Sequence, residues 1–285
     1  MPEQIVEILN RVREDRWHEK LRAIKKGIDE YEKRRSGQSS LPIDQIVEQH
    51  LNPILPTYWE VFNTHNCYRR KNSFLPRRGN SDSFLPSYDV GIFLIGFSSL
   101  PIVLSVAEIQ PHEQIYFLFS SDTDETRFEI ADRIKVMLPD CSELIDRVAN
   151  SVLCPDFALK IDEPSDPVDT FKLIKKVIDK VGANKRVALD ITGGKKTMIG
   201  GGFTAGSILG IADSIHMFYI DSLEYDQHRG APIPGTEFLS LLENPYDVYN
   251  VQTTQEAVAL YSKHNYEAAA KLWEDIKDKL ERCAT

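Results

Sequence analysis

The stretch RVALDITGGKKTM, residues 186–198, places two glycines and two lysines directly after an apolar strand pattern. Gly193 and Gly194 allow a sharp backbone turn and expose successive N–H groups. Lys195 and Lys196 add full positive charges, and a helix starting here would direct the positive end of its dipole at the same place. The stretch therefore predicts a strand, an anion-binding loop and a helix. The alternative is a plain strand-to-helix turn with solvated lysines.

Two common nucleotide motifs do not fit this chain. A P-loop requires GxxxxGK[ST], but Leu189 stands where its first glycine should be, and Lys196 replaces the Ser or Thr. The dinucleotide motif GxGxxG is absent after the first predicted strand, where the sequence reads Gly96-Phe97-Ser98. Ordinary NTPases and NAD enzymes are therefore disfavoured.

Four further stretches have strand patterns, namely YDVGIFLIGF (88–97), QIYFLFSS (114–121), VLCPDFALKI (152–161) and SIHMFYID (214–221). Helical segments fit between the strands at 101–109, 123–138, 166–181 and 196–210. Asp166 should cap the third of these helices, with Pro167 in its first turn. Alternating strands and helices of this length predict an α/β fold with a Rossmann-like, open, parallel sheet.

The last predicted helix is unusually rich in glycine, at Gly200, Gly201, Gly202, Gly206 and Gly210. Each glycine costs about 1 kcal/mol relative to alanine inside a helix. Close backbone approach would compensate for this cost, either to the sheet beneath or to a second subunit or ligand above.

Residues outside this core have helical patterns. We divide the chain into an N-terminal helical region (1–62), a basic loop (63–87), the Rossmann-like domain (88–250) and a C-terminal helical hairpin (251–285). The first region has apolar residues at helical spacing from Ile5 through Trp17 to Tyr31. In the hairpin, Thr253 and Glu256 form a capping-box pattern. One hairpin cannot bury its own apolar face, so it must pack on something else.

Composition limits the possible functions. The 285-residue chain has a formal charge of −9, which argues against general, sequence-independent DNA binding. The four cysteines are scattered, so we expect neither a structural zinc site nor any other metal. No apolar run is long enough for a membrane span and no signal sequence is evident, so we expect a cytoplasmic protein.

In an open parallel sheet, ligands bind outside the carboxyl ends of the strands. The loop GFSSLP follows the first predicted strand, and it combines a flexible glycine with two serine hydroxyls. A serine pair and Asp122 follow the second strand. The predicted ligand-binding residues are Gly96, Ser98, Ser99, Ser120, Ser121, Thr192, Gly193, Gly194, Lys195 and Lys196.

GFSSLP after the first strand, LDITGGKKTM after the fourth, the glycine-rich helix and PGTEF (234–238) together resemble the CARF domains of type III CRISPR ancillary proteins. The similarity covers about residues 86–250 and is closest to the branch in which a HEPN ribonuclease domain follows. The resemblance implies a homodimer that binds cyclic oligoadenylate, a ring of four or six adenylates, across its two-fold axis, without any other cofactor. Two copies of each loop would then face the ring.

The sequence departs from that family in two ways. The first 85 residues have no counterpart in the simplest CARF proteins, and no effector domain is evident after the hairpin. A HEPN domain uses an Arg-x4–6-His motif, and here only Arg11 or Arg13 with His18 has this spacing, in what reads as a charged helix face. We expect a chain that stops before its effector or acts on a separate one, with RNA as a possible substrate of that effector.

Three functions remain open. The chain is a sensor that switches an attached or partner effector, or a metal-independent ring nuclease that cuts its own activator, with catalytic residues unknown. The third is an unrelated nucleotide-binding α/β enzyme, in which Asp190 and Asp221 at strand ends serve as acids or metal ligands.

Overall fold

The structure is a computed structural model that describes residues 15–33, 42–72, 87–182, 184–210, 214–226, 231–248 and 251–283. Its helices are α1 (Asp15–Lys33), α2 (Ile43–Ile46), α3 (Leu55–Asn72), α4 (Leu100–Ile109), α5 (Asp124–Met137), α6 (Ser142–Leu153), α7 (Pro167–Val181), α8 (Lys196–Leu209), α9 (Pro245–Val248), α10 (Val251–Ser262) and α11 (Tyr266–Cys283). A π-helical segment (Val47–Leu51) and a 3-10 turn (Asn52–Ile54) connect α2 to α3, and a second 3-10 turn (Ser121–Thr123) precedes α5. The strands are β1 (Val90–Leu94), β2 (Gln114–Phe119), β3 (Ala158–Lys160), β4 (Val187–Asp190), β5 (Ile215–Ser222), β6 (Tyr225–Asp226), β7 (Ala231–Pro232) and β8 (Glu237–Leu242).

The main sheet has the strand order β3-β2-β1-β4-β5-β8. Its first five strands are parallel and β8 pairs antiparallel to β5. The short strands β6 and β7 form a separate hairpin. The Rossmann-like α/β prediction is therefore confirmed, and the chain reverses direction over the sheet between β1 and β4, where such folds bind ligands.

Alternate residues of the buried strands face two separate hydrophobic layers. Phe93, Phe117 and Phe218 point into the layer formed with α1, α3, α4, α5 and α6. Ile92 and Leu189 point into the smaller layer formed with α7 and α8. This double burial explains why the central strands read as continuous apolar runs in the sequence.

Four elements differ from the sequence prediction, namely α3, α6, β3 and β8. The loop expected from Asn63 is wrong for residues 63–72, because α3 continues to Asn72. No proline or glycine separates Pro56 from Pro76, so nothing breaks the helix there. The rest of that loop, residues 73–86, lies outside the described residues.

The predicted third strand was too long, and the helix before it was missed. Residues 152 and 153 end α6, and the strand itself is only β3. Leu144, Val148 and Val152 recur at four-residue spacing and are buried, so α6 did carry a readable helical signal. The edge strand β8 was also not predicted.

The N-terminal helices pack against the α/β core through buried polar contacts. The Ser99 hydroxyl, at the start of α4, donates to Glu129 Oε2 of α5 over 3.0 Å. The same carboxylate oxygen is 2.9 Å from Arg133 Nη2. Arg133, almost fully buried, donates in turn to the Tyr31 hydroxyl of α1 over 2.9 Å. These four residues, the Ser99–Tyr31 chain, connect the loop after β1 to the first described helix.

A second buried contact joins α3 to the PGTEF segment. The Tyr58 hydroxyl donates to Glu237 Oε1, and the Gly235 N–H donates to Glu237 Oε2 over 2.7 Å. Burial raises the pKa of Glu237 above its ordinary value. Gly235 has φ of +90°, and a Cβ there would lie 2.6 Å from Leu21 of α1. PGTEF is therefore a packing site for the N-terminal helices.

The glycine-rich helix α8 packs closely on its own chain. A Cβ on Gly201 would lie 2.3 Å from the Pro167 carbonyl oxygen of α7, and one on Gly206 would lie 2.3 Å from Met217 of β5. Gly200 has no atom within 4 Å of that position in the described part of the chain. Gly210 caps the helix rather than lying inside it, because α8 ends at Leu209.

The C-terminal hairpin has the predicted turn, at residues 263–265 between α10 and α11. Thr253 lies inside the first turn of α10 instead of capping it, because the helix begins at Val251. Val258, Tyr261, Tyr266 and Trp273 remain exposed. Among the described helices, none has the length and apolar character that a membrane crossing requires.

Candidate functional site

Two loops meet at the carboxyl edge of β1 and β4. A Cβ added to Gly96 would lie 2.7 Å from the Gly194 nitrogen. One added to Gly193 would lie 2.2 Å from the Leu94 oxygen and 2.8 Å from the Gly96 nitrogen. Only glycine fits such close backbone contact. The structure therefore brings GFSSLP and TGGKKT together, as their positions after neighbouring parallel strands predicted.

The second of these loops, together with the first residue of α8 (residues 191–196), is called the anion loop below. Gly194 has φ of +95°, which glycine adopts without strain. Within the described ranges, the Gly193 and Gly194 N–H groups have no hydrogen-bond acceptor. Helix α8 starts immediately afterwards at Lys196, so its unpaired first N–H groups lie at the same edge. Unpaired N–H groups beside a helix N-terminus favour an anion.

The two lysines differ in their surroundings. The Lys195 ammonium lies 2.9 Å from Asp122 Oδ2, and both side chains are partly exposed. This ion pair joins the anion loop to the 3-10 turn that follows β2. Lys196 is exposed at the first residue of α8. A ligand phosphate would compete with Asp122 for Lys195.

Thr192 fixes the start of the anion loop from two sides. Its N–H donates to Asp190 Oδ1 over 2.6 Å. Its hydroxyl accepts from the Ile220 N–H of β5 over 2.8 Å. The Thr192 hydroxyl therefore attaches the anion loop to β5.

The four predicted serines fall into two groups. Ser98 and Ser121 are exposed at the rim. Ser99 is fully buried and donates to Glu129, and Ser120 is buried against Thr123 in the turn after β2. As ligand-binding groups all four stay predictions, but only Ser98 and Ser121 are accessible here. The sequence could not show this, because the acceptor for Ser99 lies 30 residues away.

Phe97 is a rim residue that we did not predict to bind ligand. Its side chain is 63% exposed, and it lies between buried Gly96 and exposed Ser98. Planar aromatic faces of this kind stack on nucleic acid bases. The sequence did contain a signal for this residue, because an aromatic side chain stands between the glycine and the serines of the predicted binding loop.

Asp190 is a buried carboxyl group directly beneath the anion loop. It is the last residue of β4, and Phe93 and Phe218 are its neighbours on the adjacent strands. Burial raises the pKa of Asp190 from 3.8 to about 6, and hydrogen bonding with Ser105 and Thr192 opposes that rise. Ser105 is close enough to stabilise the carboxylate. Even so, Asp190 Oδ2 and Ser105 Oγ each lack a hydrogen bond of good geometry within the described residues.

One cluster of possible metal ligands lies at the opposite edge of the sheet. Ligand atoms of Asp89, His112 and Glu113 lie within 4.8 Å of one another. The Lys185 ammonium pairs with Glu113 and lies 3.7 Å from Asp89. Because this ammonium lies against both carboxylates, where a metal ion would have to lie, we propose no metal site at the cluster.

The other candidate groups have limited roles. Asp221 accepts hydrogen bonds from the Ser222 N–H and the Tyr225 hydroxyl. Arg11 and Arg13 of the HEPN-type spacing lie outside the described residues. Cys141 and Cys154 are free thiols, half-buried.

The fold and the two joined loops define a Rossmann-like α/β module with an anion loop at the carboxyl edge of its sheet. The chain is 28% identical over 142 residues to the CRISPR system endoribonuclease Csm6 of Thermus thermophilus, which covers 49% of this chain and 30% of that protein. This match confirms the predicted resemblance to CARF-domain proteins of type III CRISPR systems. No protein-family profile matches the chain.

A solved structure was also found to be similar. It is Enterococcus italicus Csm6 bound to cyclic hexa-2′-fluoro-hexa-dAMP, at 13% identity and a TM-score of 0.41. The similarity covers 67% of this chain and 49% of that one. This chain therefore spans less than a third of the curated relative and about half of the solved one.

Proposed function

We propose that this protein is a homodimeric sensor that binds cyclic oligoadenylate at the anion loop. Ring occupancy then switches an attached or partner effector, which we propose to be a ribonuclease, as the Thermus relative is an endoribonuclease by name. One observation carries the proposal: the Gly193 and Gly194 N–H groups, two lysines and a helix N-terminus converge where an open parallel sheet binds its ligand.

Local charge explains how an acidic protein could hold a polyanion. The net charge of −9 disfavours nucleic acid binding over the whole surface, but the anion loop gathers two lysines and a helix N-terminus at one place. A two-fold axis would double its lysines and N–H groups around a symmetric ring. Phe97 and Ser98, exposed on the neighbouring loop, would face bases and riboses.

The direct test is retention of labelled cyclic tetra-adenylate and cyclic hexa-adenylate by the purified protein. Linear oligoadenylates of the same lengths serve as controls, and chromatography of the recovered ligand detects cleavage. Tight retention of an intact ring supports the sensor, whereas a linear product supports the ring nuclease. Retention of neither ring at micromolar protein would rule out both functions and favour an unrelated α/β enzyme.

The ion pair between Lys195 and Asp122 predicts a gain of affinity on removal of its carboxylate. Asp122→Asn should bind the ring about 1.4-fold to fivefold more tightly, since exposed ion pairs contribute about 0.2–1 kcal/mol. Titration calorimetry at fixed ionic strength measures the change. Asp132→Asn on α5 is the matched control, because it removes the same charge from another exposed pair, 3.6 Å from Lys135. Equal gains in both variants would show that only net charge matters.

A further inference from the structure

The fold does not require an ionisable side chain at position 190. Its Oδ1 accepts the Thr192 N–H, and an asparagine Oδ1 could accept the same hydrogen bond without a charge. Burying a carboxyl group instead costs stability. A costly ionisable group directly beneath an anion loop points to a role in binding.

The position of this carboxyl group couples it to any anion above it. Thr192 directly precedes the two unpaired glycine N–H groups, and its own N–H donates to Asp190, so the carboxyl group positions the backbone that holds them. A phosphate bound to those N–H groups places negative charge near a buried carboxylate in a low-dielectric interior. That charge disfavours the ionised carboxylate.

Building on the proposed function, we propose that Asp190 is a positioning residue of the anion loop and takes up a proton when a phosphate occupies that loop. Ring binding and protonation of this buried carboxyl group are then thermodynamically linked. No cationic side chain lies beside Asp190 among the described residues, so the carboxylate is neutralised by taking up a proton. Ser105 faces it from α4, Thr192 from the loop, and Phe93 and Phe218 from the neighbouring strands, and none of these is charged.

The first test is the pH dependence of ring affinity in the whole protein. Wild-type affinity should fall about fivefold from pH 6 to pH 8 if the bound phosphate raises the pKa of Asp190 by one unit, and further for a larger rise. Phosphodiesters keep their charge over this range. Asp190→Asn should remove the dependence and keep the Thr192 hydrogen bond, whereas Asp190→Ala should bind weakly at every pH. All seven histidines of the chain are retained in both variants and act as an internal control.

Proton uptake is measured directly by calorimetry in two buffers of different ionisation enthalpy at pH 7. Wild type should take up a proton on ring binding, and Asp190→Asn should not. Equal uptake in the two proteins, or equal affinity of the Asn and Ala variants, would overturn the inference.

A ligand-free measurement separates this inference from the proposed function. Because burial raises the pKa of Asp190 from 3.8 to about 6, wild type should lose stability relative to Asp190→Asn as pH rises through that interval. Above it the difference should stay constant. Sulfate, whose charge is constant from pH 5 to 8, replaces the ring as a probe if no ring binds. If sulfate binding is coupled to protonation of Asp190 but no ring binds, the proposed ligand is wrong and the role of Asp190 stands. If neither anion is coupled to protonation of Asp190, the role of Asp190 is wrong.

Discussion

Reversing both charges of the anion loop, in Lys195→Glu with Lys196→Glu, should weaken ring binding by at least about a hundredfold. Each substitution replaces an attraction to phosphate by a repulsion, and a two-fold site contains both lysines twice. The salt dependence of binding should also become shallower, because fewer counterions are released. Fluorescence anisotropy of a labelled ring at several salt concentrations measures both effects.

The matched control for this variant is Lys25→Glu with Lys26→Glu. These lysines are also adjacent and exposed, but they lie on α1, outside the anion loop. The two double variants change net charge equally, so a difference between them reports position. Unchanged ring affinity in the anion-loop variant would contradict the proposed site, whatever the control does.

Gly193→Ala should both destabilise the protein and weaken ring binding. Its new methyl group would lie 2.2 Å from the Leu94 oxygen and 2.8 Å from the Gly96 nitrogen, both backbone atoms that cannot move aside alone. We expect a loss of about 1–3 kcal/mol in the free energy of unfolding, the usual cost of overpacking. Ring affinity should fall by about tenfold or more, because separation of the two loops moves the binding N–H groups by about an ångström. Denaturant unfolding and anisotropy measure the two changes.

Gly200→Ala is the control for the helix that follows. Its methyl group meets no atom within 4 Å in the described part of the chain. Alanine should therefore stabilise the free protein by about 0.5–1 kcal/mol, as expected for a glycine inside a helix. A destabilising effect at Gly200 would instead reveal a neighbour from a second subunit. Normal stability and ring affinity in Gly193→Ala would show that the two loops do not depend on their close contact.

The sequence predicted the centre of the fold better than its margins. Strands β1, β2, β4 and β5 are apolar runs buried on both sides, and glycine or proline marks several of the turns beside them, so their signals are local. The edge strands β3 and β8 are short or half-exposed, and their apolar patterns are correspondingly weak. The path of α3 past Asn63 was missed because basic clusters were taken as loop, although charged residues are compatible with a helix.

The sequence predicted where the site lies, but not which of its side chains form hydrogen bonds or ion pairs with one another. Strand direction placed Gly96 and Gly193 at one edge, and the structure joins them. Nothing in the local sequence indicates that Ser99 is engaged by Glu129 or that Asp122 pairs with Lys195. These partners are distant in sequence. The packing of α5 beside α4 brings Glu129 to Ser99, and the positions of β2 and β4 on either side of β1 bring Asp122 to Lys195.

The Ser99–Tyr31 chain makes the α/β core depend on α1, so truncation of the N-terminal helices should destabilise the core. Trimming the protein to its Rossmann-like core would leave Arg133, a nearly inaccessible cation, facing solvent or an empty space where α1 had been. Glu129 would still pair with Arg133, but a buried charge that loses a hydrogen-bond partner costs more than a lost surface contact. Chimeric proteins should therefore exchange residues 15–72 together with α5, so that Arg133 keeps its Tyr31 partner.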